Sequence, residues 1–258
     1  MKAKRVKTSN KKYILIPLII LLIILLSYLF YHFYINMRDK NLSENLQKEL
    51  SDNILVDNEI DKTQNELIEK VKALQNENED IKAWIKINDT NINYPVVQAN
   101  DNDYYLYRNY KKEKSNYGSI FIDCNSNIEN QNSNIIMYGH NMKDGSMFKD
   151  LLKYTDEEYY KNHKYIEFAT STNSNTYEII AVFKSRIFYK NENNVFRYYQ
   201  CTDLNNEENY NYYIDNCKKL SFYNTGVDAK YGEQIITLIT CEYSSENGRM
   251  VVVAKKTK

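Results

Sequence analysis

The chain reads as a mainly β protein: a closed eight-stranded β-barrel with N-terminal helices and one long helix inserted between late strands. Three observations predict this. From residue 81 onward, apolar residues recur with a period of two in about eight short runs, the signature of half-buried strands. Helical periodicity is confined to the segment before residue 80 and to a few stretches after it. Many short strands with few helices favour closure, because a barrel leaves no unpaired edge. An uncharged span near the N-terminus stands apart from the rest, leaving about 220 residues, enough for one domain with a real core.

The elements follow in order. Residues 1–12 form a basic tail carrying Lys2, Lys4, Arg5, Lys7, Lys11 and Lys12 and no acidic residue. Residues 13–35 are the expected transmembrane signal-anchor: from Tyr13 to Met37 there is no Lys, Arg, Asp or Glu, long enough to cross a hydrocarbon core of about 30 Å. The span exceeds the apolar core of a cleaved signal, and no small-residue cleavage pattern follows. The cationic flank then predicts a single-pass membrane protein, N-terminus cytoplasmic and the domain after Met37 extracellular. Pro17 falls early in the span, where a helix tolerates it best. A buried core helix is the alternative reading of this segment.

Residues 36–80 carry Leu42, Leu46 and Leu50, then Leu67, Val71 and Leu74, at helical spacing. Two amphipathic helices, broken near residues 51–57, either pack on the barrel or form a solvated stalk leading to it. The barrel occupies 81–258, with strands expected at 84–87, 92–97, 118–123, 134–138, 165–168, 176–187, 235–241 and 249–255. Short helices are expected near 147–154 and 156–162, and a longer one over 203–222 with Asp203 as N-cap. Trp84, the one tryptophan, reads as a core or domain-seam residue.

The chain is formally neutral, but removing the six cations of the tail leaves 28 basic residues against 34 acidic ones. An extracellular domain with that balance gives no case for nucleic acid binding. Cys124, Cys201, Cys217 and Cys241 are an even number in an exported domain, so two disulfides are one reading. There is no CxxC pair and no Cys/His cluster with zinc spacing, which argues against a metal site.

The most informative segment is 235–241, an apolar β-branched run that delivers Cys241 to its end. A short polar turn follows, and the next apolar run opens on Arg249. Two strands so joined put a thiol and a guanidinium across from one another, a nucleophile beside a cation. His140 differs from His32, at the outer membrane border, and from His163, beside a charged helical stretch. It ends the apolar run 135–139 and opens a polar turn, where a rigid scaffold presents chemistry.

These residues carry a resemblance. Thr237-Leu-Ile-Thr-Cys241 resembles the TLxTC signature of sortases, with Arg249 downstream and His140 upstream in that family's chain order. The segments 94–98, 101–106, 118–123 and 138–148 (Tyr-Gly-His-Asn-Met-Lys-Asp-Gly-Ser-Met-Phe) are similar to class B sortases. So are the helices before the barrel and the long helix at 203–222. The resemblance covers roughly residues 40–258, and the aspartate-proline-tryptophan lid segment typical of class C is absent from the sequence.

The resemblance implies a cysteine transpeptidase of the Gram-positive surface. Such an enzyme cleaves a C-terminal sorting signal of the Asn-Pro-x-Thr type after threonine through a thioacyl-enzyme. It then transfers the threonine to a cell-wall amine, on peptidoglycan or its precursor, with no cofactor or metal. Cys241 would be the nucleophile, His140 the acid and base, and Arg249 the oxyanion or backbone clamp. By family position Asn102, Leu106 and Glu242 would line the sorting-motif groove, with Ser185 as a further lining residue. For Leu106, core packing is the competing role. Ile239 stands where class B members often carry serine, a departure that bears on motif preference. Two other classes remain open on sequence: an exported cysteine peptidase hydrolysing wall or surface peptides, and a catalytically silent surface-binding β module. The papain-like order of cysteine before histidine is reversed here.

Overall fold

The computed structural model describes residues 11–52, 60–130 and 134–257, which divide into two compact units, 1–53 and 54–258. The first unit is one helix, α1 (Lys11–Asp52), containing Pro17 near its start. Its stretch Ile16–Leu46 has mean hydropathy 2.4 and is long and apolar enough to cross a membrane. From Ile16 to Tyr34 its leucines and aromatic residues are exposed, as on a lipid-facing helix, whereas Leu46 is buried. The helix runs through residue 36 without interruption, so the expected change from span to separate stalk helix is not marked by a break there. The break expected near 51–57 falls mostly on 53–59, outside the described residues.

The second unit opens with α2 (Ile60–Gln75), whose Leu67 and Val71 are buried. The strands are β1 (Ile81–Lys86), β2 (Asn93–Val97), β3 (Ile120–Ile122), β4 (Asn134–Tyr138), β5 (Tyr165–Thr170), β6 (Ser174–Arg186), β7 (Ile235–Cys241) and β8 (Gly248–Lys256). They close in the order β1-β2-β3-β4-β7-β8-β6-β5, the eight-stranded barrel expected from the alternating runs. Only β2–β3 and β4–β7 pair in parallel; every other neighbour is antiparallel. The parallel β4–β7 pair needs a long crossover, and residues 139–234 supply it with β5, β6 and the helices.

Side chains alternate between two cores. One face of every strand feeds the barrel interior, for example Ile85, Val96, Met137, Leu238 and Val252. The outer face of β4, β6, β7 and β8 builds a second cluster with Ile136, Phe183, Ile239 and Val251. Over that face lies α4 (Glu207–Leu220), contributing Tyr210, Tyr213, Ile214 and Cys217 at helical spacing. Tyr213 shares a 2.6 Å hydrogen bond with Thr237, whose hydroxyl donates to Asn134 Oδ1 at 2.8 Å, so helix and both parallel strands are tied at one point. Trp84 is fully buried on β1, with Lys70 of α2 placed 5.1 Å from its ring and its Nε1–H donating to Asn93. It is a seam residue between α2 and the barrel.

Several boundaries shift. The long helix starts at Glu207 rather than Asp203, because Asn206 is the residue in extended backbone that accepts from Asn209 N. Asp203 instead accepts from Asn205 N, forming its own turn ahead of the helix. The stretch near 147–154 is a 3-10 helix, Lys149–Thr155, and the next is α3 (Glu157–Asn162), capped by Asp156. The expected strand at 118–123 pairs only over Ile120–Ile122, since Gly118 is in left-handed backbone.

Candidate active site

The sheet register assembles the site. Along the parallel β4–β7 pair, Tyr138 lies opposite Ile239, so two residues further on His140 comes level with Cys241. Across β7–β8, Cys241 is opposite Arg249, and across β8–β6, Arg249 is opposite Ser185. His140, Cys241, Arg249 and Ser185 thus form one row across four neighbouring strands, about 4.8 Å apart from strand to strand. By alternation that row shares a face with Ile239, Val251 and Phe183, the outer face covered by the second core. All four residues are half-buried, reachable from solvent yet backed by a dry layer.

Each member is held by neighbours. Gly139 N donates to Ile239 O at 3.1 Å, Thr240 Oγ1 donates to Gly139 O at 2.8 Å, and Asn141 Nδ2 donates to Cys241 O at 2.8 Å. These three bonds fasten the His140 turn to the end of β7. His140 Nε2 lies 2.7 Å from the carbonyl of Leu106. A carbonyl only accepts, so Nε2 carries a proton there, and Nδ1 is the nitrogen left to exchange one. Gly118 makes this approach feasible. A Cβ there would meet Leu106 O at 2.6 Å, Tyr105 O at 2.8 Å and His140 Cδ2 at 3.1 Å, and its φ is +60°. Arg249 uses Nη1 to bond the carbonyls of Asn247 at 3.2 Å and Gly248 at 2.8 Å, where the β7–β8 turn enters β8.

The expected groove residues separate in character. Leu106 is half-buried and belongs to neither core cluster, and it is its backbone carbonyl that holds His140. Asn102 is also half-buried, but its amide is engaged: Nδ2 donates to Asp123 Oδ2 at 2.9 Å and Oδ1 accepts from Cys124 N at 2.8 Å. Both ends of the Asn102 amide thus brace the 123–124 segment. Tyr138 donates to the same Asp123 oxygen at 2.9 Å; burial and that carboxylate push its hydroxyl up, keeping it a donor. Glu242 bonds Lys184 Nζ at 3.0 Å and Ser244 N at 3.0 Å. Burial works to raise its pKa, but the hydrogen bonds from Ser244 and Lys184 outweigh it and leave the carboxyl below the usual range.

All four cysteines are free thiols, Cys217 fully buried on α4 and the other three half-buried. Burial pushes the Cys201 thiol up to about 11 and Cys217 well above its ordinary value, which keeps both protonated. Cys124 is also raised, by burial and by the neighbouring Asp123. Among the described residues no group of three or more metal-ligating side chains gathers. The positioning role of Gly118, the Leu106 carbonyl and the Asn141 amide was not read from the sequence. Backbone carbonyls carry no sequence signal, while Asn141 directly follows His140 in a motif already singled out.

Comparison with known proteins identifies the family and the fold. The family model for the sortase domain matches residues 85–257. Sortase B of Listeria monocytogenes is 38% identical over 192 residues, covering 74% of this chain and 75% of that protein. The Staphylococcus aureus sortase B–substrate complex superposes with a TM-score of 0.66 at 34% identity, covering 74% of this chain and 86% of that one. A sortase B complexed with triglycine gives a TM-score of 0.67 at 31% identity, with 86% and 96% of the two chains covered.

Proposed function

The chain belongs to the sortase family, and from that premise we propose that it cleaves an Asn-Pro-x-Thr-type sorting signal and transfers the threonine to a cell-wall amine. Sortase B-type transpeptidation is a cysteine enzyme's work, and one observation carries the assignment of residues: the row His140–Cys241–Arg249 set by the β4–β7–β8 register. In the proposed reaction His140 Nδ1 takes the Cys241 thiol proton. The thiolate attacks the threonine carbonyl carbon and the carbonyl electrons move to oxygen. Arg249, always charged and beside the thiol, stabilises that oxyanion. The C–N bond then breaks as His140, through Nδ1, gives its proton to the leaving amine, leaving a thioester on Cys241. An incoming amine attacks the thioester, its proton passes to His140, and collapse forms the new amide and restores the thiolate beside the protonated ring.

The triglycine and substrate complexes of related enzymes support an amine acceptor and a peptide donor for this chain. Surface proteins bearing the sorting signal and an amine of peptidoglycan or its precursor are the proposed partners. Asn102, Leu106, Ser185 and Glu242 are the proposed groove. Leu106 being outside both cores and Ser185 sharing the row with Arg249 support this. α1 is the proposed signal-anchor, with the cationic tail cytoplasmic and the barrel outside.

The test is product analysis by mass spectrometry with the full chain in detergent, an Asn-Pro-x-Thr peptide and triglycine. The expected product is the threonine–triglycine conjugate, absent with Cys241→Ala. His140→Ala and Arg249→Ala should each lower kcat/KM by at least about a hundredfold. Arg249→Lys should also be poor, since an ammonium cannot reproduce the planar fork. Near-normal turnover in a folded Arg249→Ala would remove its role, and exclusive hydrolysis in excess triglycine would favour a peptidase.

A further inference from the structure

The second core contains a polar atom that the fold does not satisfy. Tyr198 opens a 3-10 helix, Tyr198–Gln200, in the connection between β6 and α4. Its side chain is fully buried, packed edge-on against Phe183 at 5.7 Å and Tyr199 at 5.2 Å between ring centres. Its hydroxyl has no hydrogen-bond partner among the described residues. A buried hydroxyl left unpaired costs about 1–3 kcal/mol, and phenylalanine would fill the same space without that cost.

The place of this hydroxyl is specific. Phe183, Val251, Ile239 and Tyr138 form the row immediately below Ser185, Arg249, Cys241 and His140 on the same face. Tyr198 packs on that lower row through Phe183. Its segment is clamped: Asn134 Nδ2 donates to Cys201 O at 3.0 Å, and Arg197 Nη2 donates to Tyr189 O at 2.8 Å. Burial raises the hydroxyl's pKa and the Arg249 guanidinium pulls it down, so the cation of the row reaches it. Arg249, for its part, bonds only turn carbonyls, through one of its nitrogens, among the described residues. Its guanidinium has five N–H donors, so most are available for other partners.

Resting on the assignment of Arg249 and Cys241 above, we infer that Tyr198 is a positioning residue for Arg249. Its hydroxyl oxygen accepts a guanidinium N–H once a peptide carbonyl occupies the site. That bond turns the fork from the turn carbonyls toward the developing oxyanion, and the hydroxyl unpaired in the free enzyme gains its partner in the transition state. The stability lost in the resting fold is returned where it speeds the reaction.

The experiment is a double-mutant cycle in the full chain, reading kcat, KM, melting temperature and the pH profile of Cys241 alkylation. Tyr198→Phe should lower kcat about tenfold with KM changed by less than about twofold, the size of one lost hydrogen bond to a charged group. Its melting temperature should be equal to or above that of the parent, and the alkylation profile should not move. In an Arg249→Ala background the same change should cost nothing further, because the two groups act as a unit. Tyr210→Phe, which removes another partnerless buried hydroxyl on α4, should leave kcat unchanged. Unchanged kcat in Tyr198→Phe, an equal loss in the Arg249→Ala background, or a shifted alkylation profile would each overturn the inference. Retained activity in Cys241→Ala would instead overturn the site assignment on which it rests.

Discussion

At the scale of single residues, the site is a contrast between groups that are committed and groups that are held ready. His140 has one ring nitrogen fixed on the Leu106 carbonyl, which leaves the other for the proton transfers proposed above. Asn102 has both ends of its amide committed to the 123–124 segment, which makes it a brace as well as a candidate groove residue. Asn102→Ala should therefore do two things. It should lower stability by about 1 kcal/mol, because Cys124 N loses its acceptor and Asp123 a donor. It should also lower kcat/KM by about ten to a hundredfold if the amide's remaining capacity meets the sorting motif. Melting temperature measured beside kcat/KM separates these, and a stability loss with unchanged kcat/KM would leave Asn102 as a brace alone.

Among elements, the turn carrying Leu106 and the end of β4 are brought together by a glycine. Gly118 lies in left-handed backbone between them, and any Cβ would press on two carbonyls and on the His140 ring. Gly118→Ala should cost about 1–3 kcal/mol from backbone strain. Because the carbonyl that would move is the one holding His140, kcat should fall more than the stability loss explains. Assaying well below the variant's melting temperature checks this; full kcat there would show that the turn does not orient the histidine. The same logic applies to the Tyr213–Thr237–Asn134 chain, which spans α4, β7 and β4 and gives the first threonine of the signature a structural task.

At the scale of the whole molecule, the chain has an outward-facing apolar helix in one compact unit and a closed barrel in the other. If α1 is a signal-anchor, a thiol reagent that cannot cross membranes should label Cys241 in intact cells. External protease should release the barrel and leave the lysine-rich tail protected. Labelling of Cys241 only after lysis would place the barrel on the other side and remove the extracellular assignment.

Much of this was legible in the sequence because it is local. The uncharged span, the period-two runs and the Thr-Leu-Ile-Thr-Cys and Tyr-Gly-His-Asn segments each depend on neighbours a few residues away. They determined the apolar helix, the eight-stranded barrel and the three candidate residues His140, Cys241 and Arg249. Cys241 and Arg249 were also linked locally, being eight residues apart across one hairpin. What the sequence left open is whatever joins distant segments. Only the parallel β4–β7 register brings His140 level with Cys241, about a hundred residues on, since strand pairing is chosen by which faces can be buried together. Only packing decided that Asn206 caps α4, that Leu106 stays out of the core and serves through its carbonyl, and that Tyr198 lies beneath the row. Backbone groups and burial are the same for many sequences locally, so the tertiary structure alone gives them a role.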